Sequence, residues 1–442
     1  MPRIGAVSRR ALLLGAGGVA LLGASAASFR ALAAAGPKQA DYPRDVEFLL
    51  AELEKKAGHF FPGKGVDWKK VAAEFRIEVK QVKTDEEHLK LCQRLLARLR
   101  DGHAAIADSK IKPRDESKGR RFTGPRVHLL TVGEEVYVRA AFKEAGGQGI
   151  RVGMKVRRID GLPAREWLGK KVAELRDSTG YSTDHQALYA ACHGGLADWE
   201  GTRIAFELEG GSGAKKVTLT RRGGPNFAPL GPVHPPAGLK TLGRHSYGKT
   251  SGGFGYIDLR DVPGELPDQL DRMLEDLGEV PGLILDLRAN GGGGCDHEAV
   301  FGRFLAAGQR WRQYSGQSRR PHLGPMVVII DAGVRSAGET VAGMFGEDGR
   351  AYLIGDSPTA GMSAQKERLA VPSGLLTVSF AVHSNKLRFN RGKGIEGIGV
   401  PPMETVPYDP VELSKGIDTQ IRRAEELLRA GFPEGRVAYK GR

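Results

Sequence analysis

The sequence predicts an α/β protein built in three parts: a helical front end, a β-rich middle and a C-terminal α/β core. Three observations predict it. Between Asp41 and Ile106, apolar side chains recur at helical spacing, with Val46, Leu49, Leu50 and Leu53 at i, i+3, i+4, i+7 and Leu91, Leu95 and Leu99 at four-residue steps. From Arg126 to Arg222 the pattern turns to short strands: Val136 to Val138, Val156 to Ile159, Ile204 to Leu208 and Val217 to Leu219. Beyond a Pro- and Gly-rich stretch, apolar strands alternate with helices, the rhythm of a mainly parallel sheet with helical cover.

At roughly 100–200 residues per domain, the 442-residue chain holds two or three domains. The expected boundaries are an export signal over 1–35, a helical domain over 41–121, a β-rich domain over 122–225, a linker over 226–247 and the α/β core over 248–442. In the front end, Pro62-Gly63 breaks the first helix, and the last helix stops near Gly102, since glycine favours the position just past a helix end. Lys110 to Arg121 is a polar, basic connector. In the core, strands are expected over Phe254–Leu259, Leu283–Leu287, Val327–Ile330 and Tyr352–Ile354, and helices over Leu270–Leu277, Glu298–Leu305 and Ala337–Phe345. A hairpin around Pro372-Ser373-Gly374 and a closing helix from Asp418 to Leu428 follow.

The N-terminus reads as an address. Ser8-Arg9-Arg10 precedes an uncharged, apolar run from Ala11 to Ala27, and Ala33-Ala34-Ala35 supplies small residues for cleavage. The paired arginines resemble a twin-arginine export signal, which implies a periplasmic or extracellular protein. A retained membrane anchor is the alternative, but Gly15, Gly17, Gly18 and Gly23 make a poor spanning helix. No later stretch approaches ~18 continuous apolar residues, so no integral membrane segment is expected in the mature chain. Net charge is +14, and the signal carries four arginines without an acid, so the remainder stays basic. No nucleic-acid module accompanies that charge, so no nucleic acid is expected as a partner. The three cysteines, Cys92, Cys192 and Cys295, show no CxxC spacing, which argues against a disulfide framework or a cysteine zinc site and leaves a single disulfide open.

In open α/β sheets, ligands sit beyond the carboxyl ends of the strands. Two consecutive strands here end in unusual sequences. One runs into Arg288-Ala289-Asn290-Gly291-Gly292-Gly293-Gly294, the other into Asp331-Ala332-Gly333-Val334-Arg335-Ser336-Ala337-Gly338-Glu339. Glycines let backbone N–H groups approach a ligand, and beside a nucleophile they form an oxyanion hole. The loop lacks the GK[ST] ending of a phosphate-binding P-loop. Ser336-Ala337-Gly338-Glu339 also fits a plain helix capping box. Yet a serine on a strand-to-helix turn is presented for attack, with the N–H dipoles of its own helix beside it.

A serine hydroxyl needs a base. His59, His88 and His128 lie among helical or strand residues without special context. His297 follows the glycine run and is the local rival, while His103 lies in a tight turn, Asp101-Gly102-His103. The histidines show no HExxH or similar spacing, so no metal is implied, and no cofactor is called for.

Two resemblances add to this. Gly149-Ile150-Arg151-Val152-Gly153-Met154-Lys155-Val156 with Ile159-Asp160-Gly161 resembles a PDZ domain, which takes an extended peptide at a sheet edge. Thr179 to Trp199 reads as an insertion in that module, no loop for a terminal carboxylate stands out, and a spacer without ligand stays open. Gly282-Leu283-Ile284-Leu285-Asp286-Leu287-Arg288, Asn290-Gly291-Gly292-Gly293, Ser336-Ala337-Gly338-Glu339, Thr359-Ala360-Gly361 and Gly394-Ile395-Glu396-Gly397-Ile398-Gly399-Val400-Pro401-Pro402 together resemble the tail-specific, C-terminal-processing serine proteases. That resemblance implies a ClpP/crotonase-like catalytic core.

Many members of that family use a Ser–Lys dyad with lysine after the T-x-G segment, where this chain has Met362. Lys366 is the alternative base. The other branch, similar to the tricorn protease core and a chlamydial secreted protease, uses serine, a D-x-H histidine and a glutamate in E-x-x-G-V-x-P. The resemblance therefore implies Ser336 as nucleophile, His103 as general base and then acid, Glu396 orienting the imidazole, and N–H groups near Gly292 and of Ala337 as the oxyanion hole. Glu396 as a mere turn carboxylate stays open, and Asp286 and Arg288 read as structural. The expected function is exported peptide-bond hydrolysis on protein or peptide substrates. The alternative is a non-catalytic periplasmic peptide- or ligand-binding protein. Acyl-CoA chemistry is disfavoured, since export removes the chain from the CoA pool. A homo-oligomer is left open.

Overall fold

The computed structural model describes residues 41–112, 119–210, 213–222 and 231–439. The export signal read over 1–35, the middle of the basic connector and the first residues of the linker therefore lie outside the described residues. Among the described residues no helix is long and apolar enough to cross a membrane.

The front end holds α1 (Tyr42–Ala57), α2 (Trp68–Glu78) and α3 (Asp85–Ala97). Asp41 and Asp67 cap the first two by accepting from Arg44 and Lys70 N–H at 3.1 Å, and Thr84 with Glu87 forms a capping box on the third. Two expectations are corrected. α1 ends at Ala57 and not at Pro62; Pro62 instead opens the short turn Phe61–Lys64, where its missing N–H costs no bond, and Gly65 closes that turn at φ 64°. α3 ends short of Gly102, because Arg100 takes a left-handed conformation, φ 49°. Past that kink the chain is no longer helical but extended, as β1 (Ala105–Ser109).

The middle unit is an antiparallel sheet in the order β2 (Val127–Val132), β3 (Glu135–Ala141), β4 (Lys155–Ile159), then β5 (Arg203–Gly210) and β6 (Gly213–Thr220). Between β4 and β5 come α4 (Ala164–Ser178) and α5 (Asp184–Gly194). The insertion expected over Thr179–Trp199 is thus largely α5.

The core sheet runs β7 (Lys240–Leu242), β8 (His245–Lys249), β9 (Gly255–Asp258), β10 (Leu283–Asp286), β11 (Met326–Ile330), β12 (Tyr352–Gly355) and, at its far edge, the two-residue strand Glu404–Thr405. The pairs from β9 onward are parallel. β7 and β8 form a hairpin on the sheet edge, so the stretch read as linker up to Tyr247 is folded in its second half.

Parallel strands buried on both faces read as continuous apolar runs. Here successive residues divide between two cores. Ile257, Leu285, Val328 and Leu353 face α6 (Leu266–Leu277) and α7 (Ala337–Glu347). Tyr256, Ile284, Val327, Ile329 and Ile354 face Ile421, Ala424, Leu427 and Leu428 of the closing helix, Thr419–Ala430. The hairpin around Pro372-Ser373-Gly374 forms as β13 (Ala364–Ala370) and β14 (Leu376–Ser384). β1 pairs antiparallel with β14, and the front-end helices pack on Val371, Leu376, Val378 and Phe380. This stitches the front end to the core. Cys92, Cys192 and Cys295 are all free thiols.

Asp286 and Arg288 are structural, as expected from sequence. The Arg288 guanidinium is fully buried and donates to Asp286, to Asp418 at 3.0 Å, to Tyr408 at 3.0 Å and to Gln420 at 3.0 Å. Asp418 also caps the closing helix through Gln420 and Ile421 N–H. Removing one partner of a buried ion pair strands the other charge. Asp418→Ala is therefore expected to cost about 3–5 kcal/mol in urea unfolding; a loss under about 1 kcal/mol would show that the network does not anchor the helix.

Candidate active site

Ser336 sits on the turn from β11 into α7, at φ 56° and ψ −124°. A non-glycine residue in that region is strained by about 1–3 kcal/mol, and the surroundings must hold it. They do so through its backbone N–H, which donates to Met362 O at 2.8 Å and Glu339 Oε2 at 3.1 Å. Glu339 is the clamp. Fully buried, its carboxylate also accepts from Thr359 Oγ1 at 2.6 Å, Gly361 N at 2.7 Å and Met362 N at 2.8 Å. Burial pushes Glu339 up to about 8, against the pull of these donors. The capping-box reading of Ser336-x-x-Glu339 thus captured a true contact, and the same glutamate ties the serine turn to the Thr359–Met362 loop.

The glycine loop lies against that turn. Asn290 binds the two together: its Oδ1 accepts from Gly292 N at 2.9 Å, its carbonyl accepts from Arg335 N at 3.0 Å, and its Nδ2 donates to Leu259 O at 2.7 Å. Gly292 has φ +79°, and a Cβ placed on it would stand 2.7 Å from Ser336 Cβ. Its N–H, named from sequence as an oxyanion donor, is taken by Asn290 in this structure. The N–H of Ala337, the first residue of α7, has no partner among the described residues.

His103 arrives through β1. Its turn is fixed by Asp101, buried, whose Oδ1 accepts from His103 N at 2.8 Å and whose Oδ2 accepts from Ala381 N of β14 at 2.7 Å. Gly102 packs on Met362, where an added Cβ would stand 2.6 Å from Sδ, and the carbonyl of the same Met362 holds Ser336 N–H. One residue therefore separates the histidine turn from the serine turn. Met362, standing where a lysine was absent, is the spacer between them.

Glu396 joins this cluster. Ligand-type atoms of Asp101, His103 and Glu396 all lie within 4.8 Å of one another. Glu396 is buried, and its Oε1 accepts from Lys64 Nζ at 2.7 Å and Ser182 Oγ at 2.9 Å. The cation beside these carboxylates is Lys64 itself. Two buried atoms of this cluster lack partners among the described residues: His103 Nδ1 and Glu396 Oε2. Burial lowers His103 to about 4, with Asp101 opposing and Lys366, Lys64 and Arg335 reinforcing the shift. A neutral imidazole at pH 7 is the form that accepts a proton. Burial raises Glu396 to about 7, with Lys64 pulling it down and Asp101 up.

The structure thus brings together His103, Glu396 and, across Met362, Ser336. Lys366 lies exposed on β13, and its charge reaches His103. His297 has Lys386 and Asp296 as its charged neighbours. Sequence reasoning missed Lys64, Ser182 and the clamp role of Glu339. Ser182 lies in the segment read as an insertion, and it also accepts from Gly102 N at 3.0 Å.

The loop geometry makes a stability prediction. Gly292→Ala is expected to cost about 1–3 kcal/mol in urea unfolding, whereas Gly294→Ala, whose Cβ would meet nothing within 4 Å, is neutral. Equal costs would show that the loop is not held against Ser336.

Residues 253–406, which include Ser336 and Glu396, match Peptidase family S41. The carboxy-terminal-processing protease of Bartonella bacilliformis is 29% identical over 195 residues, covering 40% of this chain and 44% of that protein. The carboxyl-terminal-processing protease of Picosynechococcus sp. is 26% identical over 191 residues, covering 39% of this chain and 45% of that protein. The aligned part is thus under half the length of these curated relatives. Among solved structures, mature CPAF complexed with lactacystin superposes with a TM-score of 0.66 at 13% identity, covering 88% of this chain and 98% of that chain, which shows a shared fold. The strand-end glycine loop and the serine turn clamped by Glu339 both fall within the segment that matches peptidase family S41, and over part of its length the chain is similar to C-terminal-processing proteases.

Proposed function

We propose that the protein is a serine endopeptidase that hydrolyses peptide bonds of protein substrates through a Ser336–His103–Glu396 triad. The observation that carries this reading is the join at Met362, whose carbonyl holds Ser336 N–H while its thioether packs on Gly102, beside His103. Ser336 Oγ attacks the scissile carbonyl carbon, and its proton passes to His103. The tetrahedral oxyanion is held by Ala337 N–H at the start of α7. His103 returns the proton to the leaving amine, leaving an ester on Ser336. Water, deprotonated by His103, then attacks that ester, and His103 returns the proton to Ser336 Oγ as the acid is released. Glu396 orients the imidazole: its free Oε2 and the free Nδ1 of His103 are the two atoms that pair when substrate closes the site.

The middle sheet, with its PDZ-like Gly149–Val156 segment, serves in this reading as the unit that presents an extended substrate segment. Export through the paired Arg9-Arg10 signal puts the enzyme outside the cytoplasm.

A fluorophosphonate probe tests the assignment directly. Intact protein is expected to label at Ser336, and Ser336→Ala not at all. His103→Ala is expected to lower turnover by at least about 10³-fold, while Lys366→Ala stays within about threefold of the parent. The reverse pattern would replace His103 by a displaced lysine base, and an unlabelled protein that binds peptide saturably would be the binding protein instead.

A further inference from the structure

Glu396 lies in the core, yet its carboxylate is gripped from both other units. Lys64 comes from the short turn Phe61–Lys64 of the front end, and its ammonium, 3% exposed, meets Oε1 at 2.7 Å. The Lys64 carbonyl accepts from Arg100 Nη1 at 2.7 Å, which fixes that turn against the kink preceding His103. Ser182 comes from the middle unit, just ahead of α5. Its hydroxyl donates to Oε1 at 2.9 Å, and its oxygen accepts from Gly102 N at 3.0 Å. Neighbouring contacts lock this segment: Ser182 N donates to Gln186 Oε1 at 2.7 Å, Thr183 Oγ1 donates to Ala360 O at 2.8 Å, and Gln186 Nε2 reaches Met362 Sδ at 3.4 Å. Both donors fall on the same oxygen. The other, Oε2, is left buried and free.

We propose that Lys64 and Ser182 are positioning residues of the reaction, which hold Oε1 of Glu396 so that the carboxylate stays ionised and turns Oε2 toward His103. The inference rests on the triad reading above. Its physical basis is desolvation. A buried carboxyl without a cation is driven to its neutral form, and a neutral Glu396 loses the charge that stabilises a protonated His103. Lys64 opposes the neutralisation of Glu396 by lowering it, and separately favours the neutral, proton-accepting form of His103. Around Glu396 the other charged groups are Asp101, which raises it, and Glu339, which repels it. Around His103 they are Asp101, Lys366 and Arg335. The adjoining pocket carries His59, His383 and Lys393.

The sign follows. The active form has Glu396 ionised and His103 neutral, so it is lost as pH falls. Removing the Lys64 charge raises both groups, and the acid limb moves to higher pH. Ser182 contributes a neutral donor in the same sense.

The test is the pH profile of fluorophosphonate labelling at Ser336 in the full chain. In Lys64→Met the rate at pH 7 is expected to fall at least about tenfold, to recover to within about threefold of the parent by pH 9, and its acid limb to move up by about one unit. Lys64→Arg, which keeps the charge, is expected to hold the limb within about 0.3 unit. Ser182→Ala is expected to move it up by a smaller step. A Lys64→Met limb that stays in place, or a loss equal at every pH, overturns the proposal. If Lys64→Met does not fold, Ser182→Ala decides: an upward limb supports the proposal and an unmoved limb overturns it. A parent protein that does not label, or a His103→Ala variant that labels at the parental rate, defeats the triad reading instead.

Discussion

The arrangement around Ser336 depends on one buried carboxylate. Glu339 collects N–H or O–H groups from Ser336, Thr359, Gly361 and Met362, which come from two separate loops at the ends of β11 and β12. A carboxylate in an apolar interior is costly unless its lone pairs are filled. Here they are filled by three backbone N–H groups and the Thr359 hydroxyl, and the positive φ of Ser336 is held in the process. The strain of the serine turn and the desolvation of Glu339 are thus met by the same set of bonds.

The second constraint is the way the histidine is delivered. Nothing in the sequence between Asp101 and Ser109 looks like a sheet partner for a hairpin more than two hundred residues later. The kink at Arg100 ends the helical path, β1 pairs with β14, and Asp101 bridges to Ala381 N–H. An exposed turn histidine becomes one whose Nδ1 is buried and whose pKa is held low by its surroundings.

Much of this was legible in the sequence, and the parts that were not share a cause. The parallel strands could be read because burial on both faces forces continuous apolar runs such as Leu283–Leu285 and Val327–Ile330. Ser336 and the glycine loop could be read because they stand in motifs at strand ends, and Glu396 because it stands in the Gly394–Pro402 motif. Lys64 could not: a lysine between glycines in a short turn carries no pattern, and only the tertiary fold buries it on Glu396. Ser182 was hidden for the same reason, in a segment that resembled surplus chain. The Gly292 N–H was legible as a donor but not as one that Asn290 already engages. The edge hairpin β7–β8 was masked by its own composition, since Gly and Pro around it signal a linker.

The stitch made by β1 also orders events in time. The imidazole, hydroxyl and carboxylate of the proposed triad stand at positions 103, 336 and 396, and each is placed by pairing over long stretches of chain. Contacts of that span form late, because loop closure must be completed before they are rewarded. A ribosome-bound fragment ending before the Gly394–Pro402 segment carries a serine and a histidine but no Glu396 to steer them. Hydrolytic competence, in the reading proposed above, is then withheld from incomplete chains by topology.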